Sequence, residues 1–232
     1  MERYWEEPDT VLEKFFTKIM RFLVFHGPFL PFLLLKLDLN KSSTLILDAG
    51  CGKGTPMRMV KNRRRFRCVG IDLYLPYLVR CQKEKVYDDY VRCDVRKLPF
   101  RNKCFSSAIL FDVIEHLSKE DGKKCIDELE RVVRNQIAIT TPTRFMVQDA
   151  YDGNELQIHR SLWSKHDFEG VGYVVRGLEG LVYLRKEKGE SILGGFWKFL
   201  ALFLSYLSQF FIYFIPRLAY SIFCTKNCKN QK

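Results

Sequence analysis

The sequence predicts an α/β domain, a parallel sheet with helices on both faces, and three observations carry the prediction. Short apolar runs alternate with helical stretches from Thr44 onward. A glycine-rich loop follows the first apolar run, and an acid stands at or just past the end of four of the runs: Asp48, Asp72, Asp94 and Asp112. Open α/β sheets place their ligands at those strand ends, so the same features that predict the fold also predict where its site lies.

The apolar runs over residues 44–47, 68–71, 90–93, 107–111 and 136–140 are short and bounded by polar or turn-forming residues, which reads as buried strands. Helical stretches over residues 56–61, 75–84 and 122–133 lie between most of them. Residues 172–176 and 181–185, separated by Gly177 and Gly180, read as a closing antiparallel pair. No internal repeat is visible.

Length and composition set the limits. With 232 residues, 47% apolar and 28% charged, the chain can bury a full core, which excludes a disordered, collagen-like or low-complexity protein. The charge sum, 38 basic minus 27 acidic residues, is +11. Residues 58–103 hold 14 Lys or Arg against 5 Asp or Glu, so 14 − 5 = +9 of it sits in one fifth of the chain. A bias of that size suits phosphate-bearing partners, either nucleic acid or an anionic membrane surface. The eight cysteines show no CxxC spacing and read as reduced, intracellular thiols. Cys224 and Cys228 form half a metal site at most, and no metal is expected. Glu2, Glu6, Glu7 and Asp9 stand where a secretory signal would be basic, so the folded domain is expected in the cytosol.

The run LILDAGCGKG, from Leu45 to Gly54, is a strand that meets an acid and then passes three glycines into a helix. Glycines allow a left-handed backbone and close ligand approach, and the helix start offers free amides. The spacing is GxGxG rather than the GxGxxG of a dinucleotide fingerprint. Asp72 follows 18 residues beyond Gly54 at the end of the second strand, placed to accept from two ribose hydroxyls. Asp94 and Val95 close the third strand, and FDVIEHL, from Phe111 to Leu117, closes the fourth.

Together these motifs resemble the class I S-adenosylmethionine-dependent methyltransferases, in particular the small-molecule branch whose fourth-strand motif looks like DVIEHL. The resemblance covers residues 44–141. It implies a Rossmann-like sheet of seven strands, mostly parallel with the last antiparallel, and S-adenosylmethionine as cofactor. By this likeness Asp48, Gly50, Gly52 and Gly54 contact the methionine part of the cofactor, Asp72 holds the ribose, Asp94 and Val95 flank the adenine, and Phe111 and Asp112 lie beside the sulfonium.

A sulfonium methyl group is already activated, so alignment of the nucleophile supplies most of the rate and a base serves only a weak nucleophile. His159 has an ordinary pKa suited to that task, and Asp112 and His116 are further catalytic candidates. Each has a structural alternative: Glu115 and His116 can orient the helix after the fourth strand, and His159 and Arg160 can simply order a polar loop. No NPPY-type tetrapeptide follows the fourth strand, which argues against amide-nitrogen acceptors.

The expected organisation is an N-terminal helical extension over residues 1–40, a methyltransferase domain over 41–187, an apolar membrane-associating segment over 192–223 and a basic tail over 224–232. Residues 199–215 hold 17 residues without a charge, a helix of roughly 26 Å against a hydrocarbon core of about 30 Å. A monotopic or re-entrant anchor is therefore preferred to a span, with a helix buried on the domain or in a dimer interface as the alternative. Arg63, Arg64, Arg65 and Arg67 should lie at the sheet edge opposite the cofactor, and the apolar segment is expected beside them. The functional expectation is methyl transfer to a small or lipid-linked acceptor at the cytoplasmic side of a membrane, with nucleic acid a less favoured partner. RNA methylation and a non-catalytic cofactor-binding protein are the alternatives.

Overall fold

The computed structural model describes residues 43–60, 66–145, 148, 150, 152–181, 204 and 207–229. The expected N-terminal extension, Lys61 and Arg63 to Arg65 of the basic cluster, and residues 182–203 lie outside them.

The elements follow in the order β1 Leu45–Ala49, α1 Thr55–Val60, β2 Arg67–Asp72, α2 Leu75–Lys83, β3 Asp89–Arg92, β4 Phe105–Phe111, α3 Lys119–Val132 and β5 Val133–Pro142. After them come α4 Lys165–Glu169, β6 Val174–Leu181, α5 Gln209–Ile212 and β7 Ala219–Asn227. The seven strands form one sheet in the order β3-β2-β1-β4-β5-β7-β6. β7 runs antiparallel to both of its neighbours, and the other six share one direction.

Local sequence explains the elements. β1 and β4 are buried along nearly their whole length, as strands covered on both faces must be, and apart from Asp48 their residues are correspondingly apolar or small. α3 starts where the Ser118 hydroxyl accepts from the Asp121 amide at 3.1 Å, with Glu120 and Asp121 in its first turn and Arg131 in its last. Its Gly122, Cys125, Ile126, Leu129 and Val132 are buried at helical spacing. Leu47, Ile71, Leu110, Ile114, Ile137, Trp163 and Phe168 form the heart of the larger core, on the α3 side of the sheet.

Two expectations about the C-terminal half are corrected. The Gly177 to Gly180 stretch is not a turn between two strands: it lies within the single strand Val174–Leu181, and residues 182–185 of the expected pair lie outside the described residues. Its register slips between Leu178 and Leu181, where Glu179 and Gly180 have φ of 64° and 75°, so the glycines mark a bulge rather than a turn. The antiparallel partner is Ala219–Asn227, a stretch that the sequence pattern divides between the membrane segment and the basic tail. It fills the slot between β5 and β6 and is buried from Ala219 to Thr225. Cys224 and Cys228 are core residues there.

Part of the apolar segment falls within the described residues. Of residues 199–215, Leu204 and Leu207 are helical and Gln209–Ile212 forms the short helix α5, and no described helix is long and apolar enough to cross a membrane. α5 covers the open edge of β6. The Gly177 amide donates to Tyr213 O at 3.2 Å, Gln209 Nε2 donates to Gly177 O at 2.9 Å, and the Gly180 amide donates to Gln209 Oε1 at 3.0 Å. A Cβ on Gly177 would stand 2.1 Å from Ile212 O, so the approach requires glycine.

This topology settles which edge the apolar segment occupies. Because β7 is antiparallel, it begins where the parallel strands end: Ser221 pairs with Pro142, and the Thr143 amide donates to Tyr220 O at 3.0 Å. α5 and the turn Pro216–Leu218 therefore sit at the carboxyl edge of the sheet, the ligand edge. Arg67, which opens β2, is at the opposite edge as expected, so the described residues 207–218 of the apolar segment do not lie beside it.

Candidate active site

The loop after β1 passes through Gly50, Gly52 and Gly54 at φ of 67°, 49° and 77°. All three take a left-handed backbone, but their surroundings differ. A Cβ on Gly50 would lie 2.5 Å from Val113 Cγ2, so the loop could not pack against the turn after β4. At Gly52 nothing lies within 4 Å of where a Cβ would be, so the backbone there faces open space.

Asp72, at the end of β2, braces this loop. Its Oδ2 accepts from the Gly52 amide at 2.8 Å and its Oδ1 from the Tyr74 amide at 2.8 Å. Burial pushes its pKa up, against the pull of those two amides. Each carboxylate oxygen keeps further acceptor capacity beside the open backbone at Gly52.

Asp48 is different: it lies under the loop, not in it. It is 1% exposed, and the Tyr87 hydroxyl donates to its Oδ2 at 2.6 Å. Burial pushes its pKa up to about 7, partly offset by the Tyr87 bond. Its carboxylate is thus held by Tyr87 beneath the loop.

A latch joins the loop to the long connection after β5. Lys53 Nζ pairs with Asp152 Oδ2 at 2.8 Å, the Tyr74 hydroxyl donates to Asp152 O at 3.2 Å, and the Tyr77 hydroxyl donates to Asp152 Oδ2 at 3.4 Å. Nothing in the sequence pairs these residues, which lie about 75 to 100 positions apart and meet only through the chain crossing. Asp94 directs its carboxylate to Arg96, whose Nε and Nη2 reach its Oδ2 at 3.0 and 2.6 Å, and that guanidinium holds its pKa below the usual range. Val95 is buried beside it in the core.

At the end of β4, Phe111 is half-buried and Asp112 is exposed with φ of 52°, a backbone state costly for a residue with a side chain. Thr140 Oγ1 donates to Asp112 Oδ1 at 3.1 Å. Next comes the turn Ile114–His116, where Glu115 and His116 are buried. His159, expected at the mouth of the site, is also buried, with its ring 4.9 Å from that of His116. The structure thus brings together Gly50, Gly52, Gly54 and Asp72 in one group and Glu115, His116 and His159 in another. Both groups lie at the carboxyl edge.

Residues 47–138 match the family model of a methyltransferase domain. This segment, two fifths of the chain, is thus similar to a methyltransferase domain, with S-adenosylmethionine the cofactor to fit. The open glycine cradle and the braced Asp72 suit that cofactor, whose ribose hydroxyls and amino-acid end need acceptors and bare backbone. A tRNA (carboxymethyluridine(34)-5-O)-methyltransferase of Arabidopsis thaliana is 36% identical over 94 residues, 40% of this chain and 22% of that protein. An uncharacterised protein of Methanocaldococcus jannaschii is 26% identical over 147 residues, 62% of this chain and 60% of its own. The chain therefore spans less than two thirds of the length of either relative. A solved S-adenosylmethionine-dependent methyltransferase from Archaeoglobus fulgidus shares this fold at a TM-score of 0.53 and 14% identity, covering 90% of this chain and 99% of that one.

Proposed function

We propose that this chain transfers a methyl group from S-adenosylmethionine to a small or lipid-linked acceptor at the cytoplasmic face of a membrane. The observation that carries the methyl-transfer reading is the braced loop: three glycines in left-handed conformations, open at Gly52, tied to a carboxylate at the end of the adjacent strand. The cofactor supplies an electrophilic methyl group on sulfur. The chain's residues hold and align the reactants. Gly50, Gly52 and Gly54 present backbone to the amino-acid end, Asp72 accepts from the ribose, and Val95 with Asp94 borders the adenine. The latch of Lys53, Tyr74, Tyr77 and Asp152 excludes water. Phe111 and Asp112 border the transfer path, and exposed Asp112 is the residue placed to take a proton from the acceptor.

The acceptor class rests on the apolar character of the same edge. Leu73, Leu75, Phe145, Leu156 and Ile158, in or next to loops beyond the strand ends, are exposed. At the β6 end of the sheet Leu207, Phe210, Phe211 and Phe214 are 56–71% exposed, a patch that supports contact with lipid. The patch follows β6, three strand spacings or about 14 Å from β4, so a membrane under it would meet the acceptor side of the site. RNA methylation is a second reading, favoured by the likeness to the Arabidopsis tRNA enzyme.

One experiment separates them. The full chain is incubated with methyl-labelled S-adenosylmethionine and the lipid, RNA, protein and small-molecule fractions of a cell extract. Label in the lipid or small-molecule fraction supports the proposal. Label confined to RNA transfers the assignment to the second reading, and cofactor binding with no label in any fraction would reduce the chain to a binding protein.

A further inference from the structure

We infer that Glu115, His116 and His159 form a binding site for a single divalent transition-metal ion. One potential ligand atom from each of these residues lies within 4.8 Å of the others. Ligands bound at about 2.1 Å to a first-row ion stand roughly 3.4 Å apart in tetrahedral geometry, so closing the set takes a shift of about 1 Å in side chains alone. Two imidazoles and one carboxylate are a donor set suited to zinc, iron or manganese rather than calcium or magnesium.

The surroundings are built to aim these ligands. Thr141 Oγ1 donates to Glu115 Oε2 at 3.1 Å, and His116 Nδ1 stands 3.3 Å from Ile158 O. A backbone carbonyl on one ring nitrogen fixes the tautomer that offers the other to a metal. The Nε2 atoms of both histidines are buried. His159 is delivered by the chain itself: the amides of Arg160 and Ser161 donate to Glu115 O at 2.8 and 3.1 Å, and Trp163 Nε1 donates to Ile114 O at 3.2 Å. The loop is thereby buttoned to the turn that carries the other two ligands. Withdrawing two imidazoles and a carboxylate from water is costly, and a bound cation offsets that cost.

Three protein ligands leave at least one coordination position, the pattern of an ion that binds water or substrate. The site follows β4 directly, so an acceptor oxygen on the ion would lose its proton more readily. This role rests on the methyl-transfer reading, whereas metal binding does not.

The test is a titration of the full chain, stripped with chelator, with cobalt(II) and then zinc(II), read by visible absorption, stoichiometry and thermal unfolding. One saturable cobalt ion per chain, without thiolate charge-transfer bands and with a raised Tm, is expected. His159→Gln should abolish binding, Thr141→Val should weaken it 10- to 100-fold, and His166→Asn, at an exposed site, should leave it unchanged. If His159→Gln fails to fold, Thr141→Val and the wild-type stoichiometry decide. No saturable binding, thiolate bands, or affinity indifferent to Thr141→Val would overturn the assignment, whatever the outcome for methyl transfer.

Discussion

Replacing Asp48 by Asn tests the buried acid beneath the glycine loop. The amide keeps an oxygen that accepts from Tyr87 and removes the charge. In the folded chain the Asp48 pKa is raised from 3.8 to about 7 by burial. The folded protein therefore holds a proton that the unfolded chain releases, and stability falls as pH rises from about 4 to about 7, then levels. Integrated between pH 5 and pH 8, that linkage costs the wild type about 2 to 3 kcal/mol, a cost the Asp48→Asn variant does not carry. Urea unfolding followed by circular dichroism at both pH values is the assay. The gap in midpoint between Asp48→Asn and wild type should shift in the variant's favour by roughly 1 M between pH 5 and pH 8. A gap independent of pH would refute the reasoning, because it would mean that the carboxyl is ionised at no cost in its buried place.

Three other outcomes follow from the same geometry. Asp72→Ala removes the brace of the Gly52 amide and the ribose acceptor, and should weaken S-adenosylmethionine binding by about 1.5 to 3 kcal/mol, roughly 10- to 150-fold by calorimetry. Gly50→Ala combines a left-handed φ of 67° with a 2.5 Å encounter with Val113, and should lower stability by about 1 to 3 kcal/mol in urea melts while reducing cofactor affinity. Changing Phe210, Phe211 and Phe214 together to Ser should cost about 3 kcal/mol of vesicle partition, about a hundredfold in co-sedimentation with anionic liposomes, and leave cofactor affinity unchanged. Equal partition of variant and wild type would remove the patch from any lipid contact.

The site was more legible than the last third of the fold. Glycines and acids at strand ends announce themselves because their chemistry is local: Gly52 and Asp72 had to lie at neighbouring strand ends, and they hydrogen-bond. The position of β7 was not local information. Ala219–Asn227 follows a long uncharged run and reads as its continuation, and only its partners on β5 and β6 make it a strand. Gly177 and Gly180 gave a turn signal that was a bulge and a close helix contact. The pairing of His116 with His159, 43 positions apart, depends on the course of the connection after β5, which residue pattern does not specify. The burial of Asp48 was not legible for a related reason: a motif position says that an acid is needed, not which side of the loop it serves.

Isothermal calorimetry of the full chain with S-adenosylmethionine and its demethylated product bears most directly on the whole account. One site per chain, binding both compounds and weakened by Asp72→Ala, is the predicted result. A folded chain that takes up neither compound would contradict it.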